Sequence, residues 1–289
     1  MIIDCHYHLD EHMLGIDALI VRMDAAGVDR IALMAPLNDP IPEPSPLLVK
    51  LTQFACTHRI TRRINQMMIS NLTADGSIKL PMGIYRIYPN PDNAPVFATA
   101  QKYPQKFLAW VVVNPRGGKD PLQEINKWKT SPAFIGIKVQ TFWNRYPPSE
   151  LIPVAHRAVE LNKPIIAHVG YNAHGDFLPL VKAVPGLNLI LAHAGFPGFA
   201  DTWKTIRSRR NIFVDLSQTT YVSEKMTRDV VDYLGAERCI YGTDGPSVPL
   251  AGDGLYDYAL IKRRIERLFP DEKTRRLILG ENFARITGM

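Results

Sequence analysis

Four histidines, a lysine and an aspartate stand where chemistry, and not only packing, could use them. His6 and His8 close the run Met1-Ile-Ile-Asp-Cys-His-Tyr-His8, and Lys138 lies in Gly136-Ile-Lys-Val. His168 follows Ile165-Ile-Ala, His193 follows Leu189-Ile-Leu-Ala, and Asp244 lies in Ile240-Tyr-Gly-Thr-Asp-Gly-Pro246. Side chains alternate across a β-strand, so Asp4, His6 and His8 share one face while Cys5 and Tyr7 take the other. Two imidazoles two residues apart on one rigid strand can converge on a cation, which makes half of a metal site. His-x-His by itself is weak, and a lone histidine on an apolar strand is usually a satisfied core residue. Whether these groups form a site depends on the elements that carry them.

Eight short apolar runs, rich in β-branched residues, recur along the chain: Met1–His8, Arg30–Pro36, Phe107–Asn114, Phe134–Gln140, Pro164–Gly170, Leu187–Gly195, Ile212–Ser217 and Arg238–Gly245. Between them, apolar residues space by three and four, as in Ile16, Leu19, Ile20 and Met23, in Val154, Ala158 and Leu161, and in Met226, Val230, Val231 and Leu234. Gly27 and Gly235 fall where helix C-caps belong, and Ser149 and Ser223 where N-caps belong. Strands that are nearly continuous in hydrophobicity and alternate with helices describe an α/β fold, a (β/α)₈ TIM barrel with a parallel core. A doubly wound open sheet is the alternative, but it leaves the polar strand ends without a common focus. In a barrel, His6, His8, Lys138, His168, His193 and Asp244 all fall at the C-terminal ends of strands, where this fold builds active sites. Four histidines and a carboxylate gathered at one end point to a metal centre. The connection Leu37 to Lys106 is too long for a plain loop, which predicts a helical insertion between strands 2 and 3 that caps the mouth. Its proline-rich opening, Pro36 to Pro46, keeps the backbone extended.

The 289 residues suit one large domain, 1–289, and 46% hydrophobic content supports a full core. No apolar run is long enough to span a bilayer, and the start lacks a signal-peptide pattern. Cys5, Cys56 and Cys239 are scattered and odd in number, which argues against a disulfide framework and for a cytoplasmic protein. A net charge of +6 is compatible with an anionic substrate without requiring one. No membrane partner is expected, and a homo-oligomer is compatible with the sequence.

His-x-His on strand 1, histidines on strands 5 and 6 and Asp244 on strand 8 resemble the amidohydrolase superfamily. The branch that looks closest is the amidohydrolase-related group of aminocarboxymuconate semialdehyde decarboxylase, resorcylate decarboxylases and pyrone dicarboxylate lactonase. The resemblance covers essentially the whole chain, down to Ile278-Leu-Gly-Glu-Asn-Phe-Ala-Arg-Ile-Thr-Gly288. It implies one divalent ion held by His6, His8, His168 and Asp244, zinc by preference and manganese as the alternative. It also implies His193 beside that ion as acid, base or oxyanion stabiliser, with Asp244 both ligating and accepting a proton from water whose pKa the metal lowers to about 7. That branch includes hydrolysis, decarboxylation and hydration, so resemblance does not choose among them.

Lys138 is open to two readings. In other branches a carbamylated lysine on strand 4 bridges two metals; in the branch resembled, one metal and an ammonium facing a substrate carboxylate are favoured. A structural role, pairing with Asp4 or Asp215, is the plain alternative. Arg116 in Val113-Asn-Pro-Arg-Gly-Gly118 and Arg145 after strand 4 are candidates for holding a carboxylate. Tyr171, Asn38, Trp143 and Phe196 lie just past strand ends and could line an apolar pocket. Arg59, Arg62 and Arg63 make one basic helical face, best read as solvated. Together these predict a metal-dependent hydrolase acting on a small carboxylated molecule such as a lactone, with a non-oxidative decarboxylase or hydratase as the alternative. A deoxyribonuclease of the same barrel type also uses His-x-His, and a pI near 9.2 would suit phosphate. It would carry a glutamate where this chain has Lys138, and no basic groove with interleaved aromatics is evident, so nucleic acid is not expected. A barrel kept only for binding would have lost ligands first.

Overall fold

The apolar runs become parallel strands at Ile3–His8 (β1), Arg30–Met34 (β2), Phe107–Val112 (β3), Phe134–Gln140 (β4), Ile165–His168 (β5), Leu189–Leu191 (β6), Ile212–Asp215 (β7) and Cys239–Ile240 (β8). They join edge to edge in chain order as one eight-stranded sheet. The computed structural model describes residues 1–42, 45–57, 61, 73, 76–80, 83–246 and 256–289. Arg59, Arg62 and Arg63 lie outside them.

Helices alternate with the strands, and their caps follow local chemistry. Ser223 accepts from the Met226 N–H at 3.2 Å and starts the helix Glu224–Leu234, which Gly235 ends at φ 89°. Gly27 likewise turns left-handed, at φ 63°, just past the helix Ile16–Ala25. Asp120 caps Pro121–Trp128 through the N–H groups of Leu122 and Gln123. Ser149 is a correction. It lies inside a 3₁₀ turn, Pro148–Leu151, that runs straight into the helix Ile152–Glu160, so no side-chain cap is made there.

Between β2 and β3 the described residues include a helix, Pro46–Thr57, a short antiparallel hairpin, Ile78–Leu80 with Gly83–Tyr85, and the barrel helix Ala94–Lys102. Gln53 donates to the Thr219 carbonyl at 2.7 Å, so the first of these helices leans on the loop that follows β7.

Closure between β8 and β1 positions the site. β8 is regular for only two residues, yet the chain continues alongside β1 to Gly245. The Cys5 N–H donates to Tyr241 O at 3.0 Å, the Asp244 N–H to His6 O at 2.7 Å, and the His8 N–H to Gly245 O at 2.9 Å. The two segments run so close that a Cβ at Gly242 would meet the Cβ of His6 at 2.9 Å. Beneath, the C-terminal helical segment holds the seam: Tyr241 N–H donates to Ile278 O at 2.8 Å, and a Cβ at Gly280 would lie 2.1 Å from the carbonyl oxygen of Met1. Trp110 on β3 is wholly buried and donates its indole N–H to Cys5 O at 2.9 Å, which bolts β1 from the other side.

Candidate metal centre

β1 presents His6 and His8 at its C-terminal end, and the seam carries Asp244 directly opposite. His6 Nδ1 lies 3.0 Å from Asp215 Oδ2 at the end of β7. A carboxylate there accepts, so Nδ1 carries the hydrogen and Nε2 turns its lone pair to the barrel mouth. His8 Nδ1 lies 3.0 Å from the Ala35 carbonyl, which can only accept, and this leaves His8 Nε2 as a lone pair as well. Asp244 Oδ1 stands 3.0 Å from His6 Nε2 and 3.4 Å from His8 Nε2. These three ligand atoms all fall within 4.8 Å of one another. Asp244 adopts a left-handed backbone, φ 60°, uncommon for a residue with a side chain and fitting a place where function sets the geometry. Its Oδ2 accepts from the Gln218 amide at 2.9 Å, which anchors the carboxylate from the side away from the histidines' contact with Oδ1.

His193 follows β6 in a left-handed turn, with φ 56° at His193, 54° at Ala194 and 74° at Gly195. The strand therefore stops at Leu191, earlier than the apolar run suggests. The His193 ring stacks on His6 with centroids 5.2 Å apart, and it meets His168 edge-on, His193 Nε2 lying 3.3 Å from His168 Nδ1. His168 thus reaches the cluster through His193. Its Nε2 is buried and has no hydrogen-bonding partner among the described residues. Lys138 stands on β4 with Nζ 3.0 Å from His6 Nε2. Among the described residues it makes no ion pair with Asp4 or Asp215; its contact is with the candidate ligand itself.

Burial and charge compete across this cluster. Burial alone would raise the Asp244 carboxyl, but the neighbouring His6 and His193 outweigh it and hold the group well below the usual carboxylate range. Asp215 is held low in the same way, chiefly by His6. Burial pushes His193 down to about 4, against the pull of Asp244 and Asp215. The Lys138 ammonium is drawn down by burial, with Asp244 and Asp215 opposing. Asp4, one layer below, has hydroxyl and backbone donors from Thr243 and the His6 N–H; burial dominates there and lifts it to about 6.

Other sequence candidates divide by position. Tyr171, Trp143 and Phe196 join an aromatic wall around His168, completed by Phe142, 5.5 Å from that ring, and Tyr221, stacked 4.4 Å from Phe196. Asn38 instead bridges to Ile87 beside the hairpin. Arg116 binds Glu150 through two nitrogens, at 3.1 and 2.6 Å, and donates a third bond to the Arg145 carbonyl at 2.7 Å. Arg116 is about half exposed, and Arg145 is exposed at φ 50°. Sequence reasoning passed over Asp215, except as a partner for Lys138, and missed Ser217, Gln218 and Gln140. The signal was present: each stands at or just past the end of a barrel strand, where polar residues are exceptions.

The donor set suits a divalent cation. Two imidazole nitrogens with fixed lone pairs, a carboxylate oxygen and the unpartnered His168 Nε2 are the N and O ligands that zinc or manganese takes. His6, His8 and Asp244 each bring a ligand atom within 4.8 Å of the others and could hold it; His168 is outside that group.

A family model described as Amidohydrolase matches residues 3–288. No curated protein matches the chain. Among solved structures, 4-oxalomesaconate hydratase from Rhodopseudomonas palustris is similar at TM-score 0.63 and 16% identity, covering 100% of this chain and 96% of that one. A 2,6-dihydroxybenzoate decarboxylase from Rhizobium is similar at 0.62 and 17%, covering 99% and 98%. A probable 2-pyrone-4,6-dicarboxylic acid hydrolase from Acinetobacter baumannii, solved with citric acid bound, is similar at 0.63 and 13%, covering 100% and 99%.

Proposed function

The chain belongs to the amidohydrolase family, and from that premise we propose that it is a metal-dependent hydrolase of a small carboxylated substrate, a lactone or similar cyclic acid. The observation that carries this reading is the convergence of His6, His8 and Asp244 on one point, with Asp244 Oδ1 facing both imidazoles. A divalent ion bound there supplies Lewis acidity and lowers the pKa of a water to about 7.

The remaining work falls to side chains. Asp244, kept ionised by its neighbours, accepts the proton that the attacking water gives up. His193 stands beside the ligands, its Nε2 3.3 Å from His168 Nδ1, and acts first as a base that takes up a proton at Nε2 and then returns it to the leaving oxygen. Phe142, Trp143, Phe196 and Tyr221 exclude bulk water from one side, which strengthens each polar contact inside. Lys138 supplies positive charge next to His6 for a substrate carboxylate, and Arg145 and Arg116 add it at the rim.

Turnover in ¹⁸O-labelled water separates the chemistries. A hydrolase incorporates solvent oxygen into its product. Carbon dioxide released at the turnover rate, with no solvent oxygen in the product, would overturn hydrolysis in favour of decarboxylation on the same centre. The likeness to a decarboxylase and a hydratase is the support for that second reading.

A further inference from the structure

Asp215 is the hub of the buried network behind the candidate ligands. Its Oδ1 accepts from the backbone N–H of His193 at 2.9 Å, from that of Ser217 at 3.0 Å and from the Ser217 hydroxyl. Its Oδ2 accepts from His6 Nδ1 at 3.0 Å. Four donors converging on one carboxylate leave it no use for a proton of its own, so it is ionised and only accepts. The Ser217 side chain has a single hydrogen, and it is spent on Asp215.

Ser217 Oγ also lies 2.9 Å from His193 Nδ1. With its hydrogen committed, the oxygen can only accept there. His193 Nδ1 must then carry the ring proton, and Nε2 must be a bare lone pair. The consequence passes one residue further. His193 Nε2 faces His168 Nδ1 at 3.3 Å, and the Gln140 amide faces the same nitrogen at 3.2 Å. The opposite tautomer at His193 would set its own Nε2–H against His168 Nδ1 and call for the hydrogen on His168 Nε2. With Nε2 of His193 bare, His168 Nδ1 is the donor, and the Gln140 amide can turn its otherwise unpartnered Oε1 to share that hydrogen. His168 Nε2 is then a lone pair, and it is the nitrogen that stands buried without a partner.

We propose that Ser217 is a positioning residue: anchored by Asp215, it fixes His193 as the tautomer protonated on Nδ1, and so keeps His193 Nε2 ready to take a proton and His168 Nε2 ready to bind a cation. The mechanistic half rests on the reading of His193 as the proton-transfer group; the tautomer does not. In the step itself the His168 Nδ1–H is left to Gln140 Oε1, and a substrate or water proton moves to the His193 Nε2 lone pair. The imidazolium that forms keeps its Nδ1–H on Ser217, and the Asp215 carboxylate stabilises its charge through the hydroxyl.

Two-bond ¹H–¹⁵N correlation spectra of histidine-labelled, zinc-loaded protein test this directly. His193, assigned from the signals lost in His193→Ala, is expected to show a protonated Nδ1 and an unprotonated Nε2 in the wild type. In Ser217→Ala the hydrogen is expected to move, wholly or in part, to Nε2, and Ser217→Thr is expected to restore the wild-type pattern. Per bound zinc, Ser217→Ala should lower kcat on the order of 10- to 100-fold, less than the 10²–10⁴ that a proton-transfer group contributes outright, with KM unchanged, and it should retain less zinc because the hydrogen is then called for on His168 Nε2. An Nε2–H tautomer in the wild-type protein overturns the proposal whatever the variants do. So does a wild-type pattern that persists in Ser217→Ala. If the tautomer moves as stated while His193→Ala turns over normally, the positioning by Ser217 stands and the proton-transfer role of His193 falls.

Discussion

The centre between β1 and β8 and the basic rim beyond β3 and β4 both carry charged groups at the barrel mouth, but they are built differently. At the centre, His6, Asp215, His193 and Lys138 are buried, and each polar atom meets another across the barrel at about hydrogen-bond distance. At the rim, Arg116 is about half exposed, and its fork is spent on Glu150 and a carbonyl. Strands fix geometry through a continuous ladder, whereas loops fix it through side-chain pairs that water screens. Burial therefore makes each contact at the centre costly to break, and exposure makes each contact at the rim cheap.

The sharpest way to break this contrast is at β1. His6→Ala with His8→Ala should take bound divalent metal from about one ion per chain to none and abolish activity with it. Elemental analysis of the purified variant checks this, and stoichiometric metal in the double variant would refute the ligand assignment. Next, His193→Ala should retain most of the metal and lose a factor on the order of 10²–10⁴ in turnover. Loss of metal without a separate kinetic defect would make His193 a ligand instead. Support beneath the centre should matter for stability rather than chemistry: Trp110→Ala removes a wholly buried indole bonded to Cys5 O and should cost about 3–5 kcal/mol in a denaturant titration. A cost under about 1 kcal/mol would mean that β1 does not depend on β3.

The rim should give the smallest effects. The Arg116–Glu150 pair is open to solvent, so Arg116→Ala should change stability by under about 1 kcal/mol. If Arg116 also meets substrate, the same variant raises KM for a carboxylated substrate and spares an uncharged analogue. Equal changes for both would assign Arg116 to structure alone.

The contrast also marks what could be read in the sequence. His6, His8 and Asp244 were legible because strand alternation and the barrel's C-terminal face are enough to bring them together. Ser217 and Gln218 carried only a positional signal, because a serine or glutamine just past a strand end also looks like turn chemistry until the strand opposite is known. β6 ended early because left-handed geometry at His193 and Ala194 cannot be foreseen for residues that carry a side chain. Ser149 misled for a related reason: a good capping residue beside prolines entered a 3₁₀ turn, which supplied its own route into the helix. Arg116 follows a strand end as a substrate-binding arginine would; its pairing with Glu150, on a separate turn, could not be read from the sequence.

The seam has a consequence for biosynthesis. β1 is made before every other strand of the barrel and carries both His6 and His8, while Asp244 and the segment around Gly280 are made after all eight strands. Throughout synthesis the side of β1 that will face Gly245 is an open sheet edge, able to pair with any passing strand. Ring closure, covering of that edge and assembly of the candidate ligands are therefore a single late event. A nascent chain stopped before Tyr241 would hold two of the histidines in place on β1 yet have neither the carboxylate to meet them nor the strand to shield them, and should be captured by chaperones or aggregate.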